Sequence, residues 1–537
     1  MFSSSYLLAL IRPSTWKLQP EQSTFASNNA WSNKDMDPVP PHLQTWTTLS
    51  YITFWISCAA NVTVWELASS MIAIGLSWRG ALLAVSLGHL IIAIIIVLNG
   101  TIGVRLRVPF PVINRSSFGF WLSYFSVISL IILSMFWFGV QTFIGSECVY
   151  QMLKAIWPSI AHLPNHLPPS AKITSVELIC YFIYWCFQLP FMFVSPHKIR
   201  WLFLAKTIIV PPTLLALLIW AAVKVPLNSS LLSQRSALSG SELSWAWLGA
   251  LNSSLGFFST TGVNMPNFTR YAKNERAQYA QLIVIPAAFT LASFVGIAVT
   301  SAGMTLYGQV LWDPLKLIDQ WDNRACAFFA SLAFLLSTLS ANISANSLSA
   351  GNDMTALYPR YINIRRGQVI CAFLGGWAFC PWKVLASAPG FLSFLSGYTV
   401  FIGPITGIVV TDYWLVHRTR VDVPAMYRPH GRYRYTYGVN WRAAAAMLVS
   451  VLPAFPGLIH SINASVHVGV GTRLFDIAYL LGFTLASTVY FVLSKLFPAN
   501  ETILECAIVD LEVPPSDGRA SGGVEKGDVR VDETSVA

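Results

Sequence analysis

The sequence predicts an all-α polytopic membrane protein of about twelve transmembrane helices, and three observations predict it. The 537 residues are 54% hydrophobic and 11% charged, with a mean hydropathy of +0.56, far more apolar than a soluble globular chain. About twelve stretches approach the roughly 20 residues needed to cross a bilayer. Basic residues concentrate in alternate connections, which is how topology is written into a polytopic chain.

In order, the spans fall at 48-71, 81-104, 121-150, 174-195, 200-223, 244-267, 279-306, 325-350, 367-386, 390-416, 441-461 and 474-497. The loops after even-numbered spans carry Arg105, Arg107 and Arg115; Lys198 and Arg200; Arg270, Lys273 and Arg276; Arg360, Arg365 and Arg366; and Arg418, Arg420, Arg428, Arg432, Arg434 and Arg442. That is roughly twice the Lys/Arg of the opposite loops and predicts both termini in the cytoplasm. The formal charge of +10 is therefore a topology signal. Its dispersal over five loops excludes a nucleic-acid surface.

Before the first span, 1-44 reads as a cytoplasmic segment. Its apolar patch, Tyr6 to Ile11, is too short to span and lacks a cleavage signal. The transporter domain runs over 45-497, and 498-537 reads as an acidic, disordered cytoplasmic tail. That tail is either a docking segment for ubiquitin-ligase adaptors, with Lys526 as an acceptor, or a solvating extension. The eight cysteines show no metal or disulfide spacing, and the nine histidines form no acid-base motif with neighbouring carboxylates. No metal, no cofactor and no enzyme activity are expected.

The chemistry lies in polar residues inside the spans. In the first, Asn61, Thr63 and Glu66 sit at membrane depth. The sixth contains Gly256, Phe258, Gly262, Asn264, Pro266 and Asn267. A mid-membrane break in both, five spans apart, is the pattern of inverted repeats whose discontinuous helices frame a central site. Trp137 and Gln141 in the third span leave one helix face four residues apart. They read either as a π surface and an amide for a flat heterocycle, or as interhelical packing. The eighth span, from Ser337 to Ser349, holds Ser340, Asn342, Ser344, Asn346 and Ser347. Small-residue packing explains its serines; two intramembrane asparagines leave a ligand contact equally open.

The chain resembles the nucleobase-cation-symport-1 family, fungal uracil and allantoin permease branch, from about Ser32 to Phe497. The resemblance is carried by Ser-Asn-Lys-Asp-Met-Asp-Pro-Val-Pro-Pro (32 to 41), Trp-Phe-Gly-Val-Gln-Thr (137 to 142), Asn-Met-Pro-Asn-Phe-Thr-Arg-Tyr-Ala (264 to 272) and Asn-Ile-Ser-Ala-Asn-Ser-Leu-Ser-Ala-Gly-Asn-Asp (342 to 353). Tyr-Ile-Asn-Ile-Arg-Arg-Gly (361 to 367), Gly-Pro-Ile-Thr-Gly (403 to 407) and Gly-Val-Asn-Trp (438 to 441) extend it. It implies a LeuT-like five-plus-five inverted-repeat core with two further C-terminal helices, importing a nucleobase or related planar amide heterocycle, uracil or allantoin first, by cation symport with alternating access at the plasma membrane. A thiamine or nucleoside permease, or a non-transporting nutrient sensor on the same scaffold, is the alternative.

By the same resemblance, Trp137 and Phe258 sandwich the ring, Gln141 and Asn346 bond its edge, Asn61 adds a polar contact, and Tyr398 to Phe401 form a gate. Two departures from the family pattern stand out. Ser340 is followed by Ala341 where Na+-binding members carry two hydroxyls, which favours H+ over Na+ as coupling ion. Asn267, and by the same token Cys58, stand where Asp is expected. Glu66 reads either as a proton-coupling carboxylate or as a structural one at the watery outer end of a broken helix.

Overall fold

The computed structural model describes residues 16–18, 31–194, 200–226, 232 and 234–509. The Tyr6–Ile11 patch, Lys198 and the tail beyond Val509, including Lys526, lie outside the described residues. Each of the twelve predicted spans is occupied by helix, and among the described residues there is no strand.

The first span is two helices, α1 (Thr48–Ala59) and α2 (Val62–Ala73), whose axes bend by 53°. Asn61 makes the break: its backbone is extended, and its side-chain oxygen caps α2 by accepting from Thr63 N at 3.2 Å. The second and third spans are α3 (Trp78–Leu106) and α5 (Ser123–Ile156), joined through the buried helix α4 (Phe110–Phe118). Then come α6 (Ser175–Gln188), α7 (Arg200–Lys224), α8 (Gly240–Asn264) and α9 (Gln281–Tyr307). A short helix, α10 (Pro314–Ile318), precedes the eighth span, which is α11 (Arg324–Ala341), a π turn over Asn342–Ser347, and α12 (Leu348–Leu357). The ninth is α13 (Ile364–Trp377). The tenth is α14 (Ala388–Gly397), α15 (Thr399–Thr411) and a π turn over Asp412–Val416. The last two are α16 (Trp441–Val451) with α17 (Phe455–Ile462), bent by 54°, and α18 (Ala478–Leu496).

Among the described residues eight of these spans are long and apolar enough to cross a membrane, and ten if each bent pair counts as one. The two that fall short are α8, long enough but polar, and α13, only 14 residues long. Both are wedged among other helices: α8 packs on α3 and α14, and α13 on α5 and α12.

The expected mid-membrane break in the sixth span is corrected by the structure. Helix α8 runs unbroken past Gly256 and Gly262 to Asn264, and the chain turns only at Met265–Pro266. Gly256 serves contact instead: a Cβ there would collide with the Leu395 carbonyl of α14.

Both described ends of the chain lie on the face that carries the basic loops. Residues 31–47 run across that face as a strap. Asn33 Nδ2 donates to Pro359 and Ile362 carbonyls, both at 3.1 Å, Tyr427 donates to Met36 O at 2.7 Å, and Trp46 pairs with Tyr271 and Lys273. Arg270 donates to Asp35 O at 2.8 Å. Arg115, 1% exposed, donates to the Met426 and Trp31 carbonyls and lies over the Phe120 ring. These two arginines are structural ties as well as topology charges. At the other end, residues up to 509 are docked: Ile508 pairs with Val421 and Val423, and Thr502 with His417.

Candidate substrate site

Helix α5 carries Trp137 and Gln141 one turn apart near the middle of the bundle, 7% and 4% exposed. The Trp137 ring meets Phe257 edge-on at 5.5 Å and Phe394 at 5.6 Å. Tyr398 packs on Phe394 at 5.4 Å, and so reaches Trp137 through that ring, and donates to Gly256 O at 2.9 Å, tying the start of α15 to α8. Phe258, half-buried, sits in a separate aromatic box with Trp55 (5.4 Å), Phe289 (4.7 Å) and His89 (6.0 Å). It joins Trp137 through its neighbour Phe257, 4.9 Å away.

Gln141 Nε2 donates to Thr63 Oγ1 at 3.3 Å, and Thr63 Oγ1 donates in turn to Asn61 Oδ1 at 3.2 Å. The broken first span thus reaches the site through its capping residue. The Gln141 Oε1 is buried and accepts no hydrogen bond among the described residues.

Opposite α5, the π turn presents Asn342 and Asn346. Asn346, 8% exposed, donates through Nδ2 to Asn342 Oδ1 at 3.0 Å. Asn342 Nδ2 reaches Phe138 O (3.2 Å), Thr142 Oγ1 (3.2 Å) and Gln188 Oε1 (2.9 Å). A π turn widens the helix and recurs at functional positions. Here it carries the two asparagines that the sequence left open between packing and ligand contact, and Asn342 is the one committed to packing.

The remaining predicted residues divide. Ser340 is 1% exposed and donates to Leu336 O at 2.8 Å, so its hydroxyl proton is spent within its own helix. The nearest link from this span to the first-span break is Ser337, which donates to Ala60 O at 2.6 Å. Glu66 on α2 is 1% exposed, with Oε2 lacking a partner among the described residues, and lies within electrostatic reach of Asp313 and Lys316. Glu147 on α5 faces the same pair. Phe401 meets Phe455 of α17 at 6.4 Å, so of the expected gate only the Tyr398 end is linked to Trp137, through Phe394.

Both departures acquire a setting. Asn267 Oδ1 accepts from Phe110 N at 2.8 Å and its Nδ2 donates to Asp353 at 3.3 Å, beside Asn264, which donates to the other Asp353 oxygen at 3.0 Å. An aspartate at 267 would set two carboxylates against each other. Cys58 is a free, half-buried thiol within electrostatic reach of Lys206, a 2% exposed lysine on α7. Sequence reading missed Thr63's relay, Asn342's role, Phe394 and Lys206. A polar residue four before Asn346, and a lone lysine inside a span, were the available signals.

Comparison with known proteins gives the family and the fold. The family model described as permease for cytosine/purines, uracil, thiamine and allantoin matches residues 38–482. The allantoin permease of Saccharomyces cerevisiae is 35% identical over 488 residues, 88% of this chain and 76% of that protein. The uracil permease of the same yeast is 35% identical over 483 residues, 87% and 76%. The uridine permease is 35% identical over 494 residues, 89% and 77%. Among solved structures, the inward-facing conformation of Mhp1 superposes with a TM-score of 0.69 at 21% identity, covering 89% of this chain and 96% of Mhp1. Mhp1 closed with bromovinylhydantoin bound gives 0.67 at 21% identity, covering 88% and 97%. The chain belongs to the nucleobase-cation-symport-1 family of multi-pass membrane permeases, shares the helical fold of Mhp1, and is a transporter, not an enzyme.

Proposed function

We propose that this permease imports a planar heterocycle with an amide edge, uracil or allantoin first, by H+ symport across the plasma membrane, with both termini in the cytoplasm. The observation that carries the reading is the central constellation of Trp137, Gln141 and Asn346: a buried indole beside two amides, one with an unpartnered oxygen. Flat rings with N–H and C=O edges fit such a surface. Proton coupling rests on Ala341, which removes an oxygen ligand from the place where a Na+ would sit, and on Glu66, buried without a full set of partners. No cofactor is required. The tail beyond the described residues serves as a docking segment for ubiquitin-ligase adaptors.

The test is radiolabel uptake in yeast lacking its own permeases, competed with uracil, allantoin, uridine, cytosine, uric acid and thiamine. Uracil or allantoin should compete best. Choline in place of Na+ should leave uptake nearly intact, and collapse of the proton gradient should abolish it; strict Na+ dependence would overturn the coupling. Binding without accumulation would make the protein a sensor. Glu66→Gln keeps the shape and removes the titration. That variant should reach the membrane and bind cargo yet lose concentrative uptake and its pH dependence.

A further inference from the structure

An amide side chain at a binding site can face its ligand with oxygen or with nitrogen, and the two faces select opposite ligand edges. Here the facing is decided by backbone groups, whose roles are fixed. On one side, Thr63 N–H donates to Asn61 Oδ1 at 3.2 Å, which makes that oxygen an acceptor. The Thr63 hydroxyl, 3.2 Å from the same oxygen, must then donate to it. Its own oxygen is left to accept from Gln141 Nε2 at 3.3 Å. Gln141 is thereby turned so that Oε1 points away from Thr63, buried and unpartnered among the described residues.

On the other side, the Phe138 carbonyl can only accept, and it takes Asn342 Nδ2 at 3.2 Å. Gln188, itself held by donating to Thr142 at 2.8 Å, presents its oxygen to the same nitrogen at 2.9 Å. Asn342 Oδ1 therefore faces Asn346, which must answer with Nδ2, at 3.0 Å. The Asn346 oxygen is turned away from Asn342.

We infer that Thr63 and Asn342 are positioning residues that turn the Gln141 and Asn346 oxygens away from their anchors, so that the site offers two carbonyl acceptors, each flanked by the amide's second N–H, and favours rings offering N–H donors over rings of the same shape with a ring nitrogen lone pair there. This rests on the substrate reading above and narrows it to imide- and ureide-type cargo. Two relays from opposite helices, each anchored on a main-chain group, arrive at the same polarity.

The experiment measures competition for uptake by matched pairs that exchange N–H for ring N: uracil against cytosine, uridine against cytidine, hydantoin against glycocyamidine. In the wild type the N–H member of whichever pair competes should be favoured by roughly tenfold or more, the size of a mispaired buried hydrogen bond. Thr63→Val, which cannot hold Gln141, should lower that ratio by roughly tenfold, and Thr63→Ser should keep it. If Thr63→Val does not reach the surface, Asn61→Gly frees the same relay while retaining a tolerated helix cap and should lower the ratio as well. Equal competition within the pair in wild type, or a variant that weakens both members by one factor, overturns the inference. Failure of all three pairs to compete overturns the substrate reading itself.

Discussion

The centre of the bundle and the face that carries the chain ends are both rich in buried polar groups, but they treat them differently. On the terminal face the buried carboxylates are answered, although Asn264 Oδ1, Arg270 Nε and Asn352 Nδ2 near them have no partner among the described residues. Asp412, fully buried, accepts from Tyr490 (2.6 Å) and Ser116 (3.1 Å) and pairs with His417 at 3.0 Å; Asn440 bridges Tyr490 to Ser117 O. Asp353 is answered by Asn264 and Asn267. In the centre, atoms are left over: Gln141 Oε1 and Glu66 Oε2 have no partner among the described residues. An unanswered buried polar atom costs on the order of 1 to 3 kcal/mol. The difference teaches that the answered carboxylates tie the fold together, whereas the proposed site holds a carboxylate oxygen and an amide oxygen that the fold does not use.

The sharpest way to break this contrast is to empty a saturated site. Asp412→Ala strands Tyr490, Ser116 and His417 together, and removing one partner of a buried pair costs about 3 to 5 kcal/mol. Thermal unfolding of the purified protein should fall steeply and surface delivery should fail; a normal melting curve would show that the network is dispensable. A smaller effect of the opposite kind is expected at the centre. Gln141→Ala or Asn346→Ala should weaken uptake by roughly tenfold to a hundredfold while leaving the melting temperature nearly unchanged. A large stability loss there would erase the distinction.

The smallest effect sharpens the contrast through pH. Burial pulls the His417 imidazolium down, but the Asp412 carboxylate beside it outweighs burial and raises its pKa overall. A raised folded-state value means the pair contributes fully below the ordinary histidine range and loses its contribution as pH rises through the raised value. His417 also faces Tyr433 and Thr502, the latter leading into the docked segment up to Val509. Hydrogen exchange of residues 499–509 should therefore quicken modestly with pH above neutrality, beyond the intrinsic rate. In His417→Gln that extra dependence should vanish.

Helix positions were legible because apolar length is a local property, and all twelve spans are occupied. Trp137 and Gln141 were legible because four-residue spacing fixes a shared face. The sixth span misled because Gly256 and Gly262 read as breakers, whereas a glycine in a membrane helix equally marks a close crossing, here with Leu395. The relays through Thr63 and Asn342 were not legible. They join residues 78 and 200 apart in the chain (Gln141 to Thr63, Asn342 to Thr142), and hydrogen-bond direction is invisible without both partners. The family resemblance groups Phe401 with Tyr398 as a gate, but the Phe401 side chain meets another neighbour, Phe455.

The strap across the terminal face also sets a clock. Asn33 finds its acceptor 326 residues later, and Met36 finds Tyr427 391 residues later. At about 5–20 residues per second of synthesis, the first-made segment waits roughly 20 to 80 seconds for its last partner. Asp35 meets Arg270 and Asn33 meets Pro359 and Ile362 earlier, but Met36 has no partner for its carbonyl until Tyr427 is made. Closure of that face is thus a late event in the birth of each molecule, and a ribosome stalled before residue 427 leaves a chain whose strap is held at Arg270, Pro359 and Ile362 but lacks its last tie.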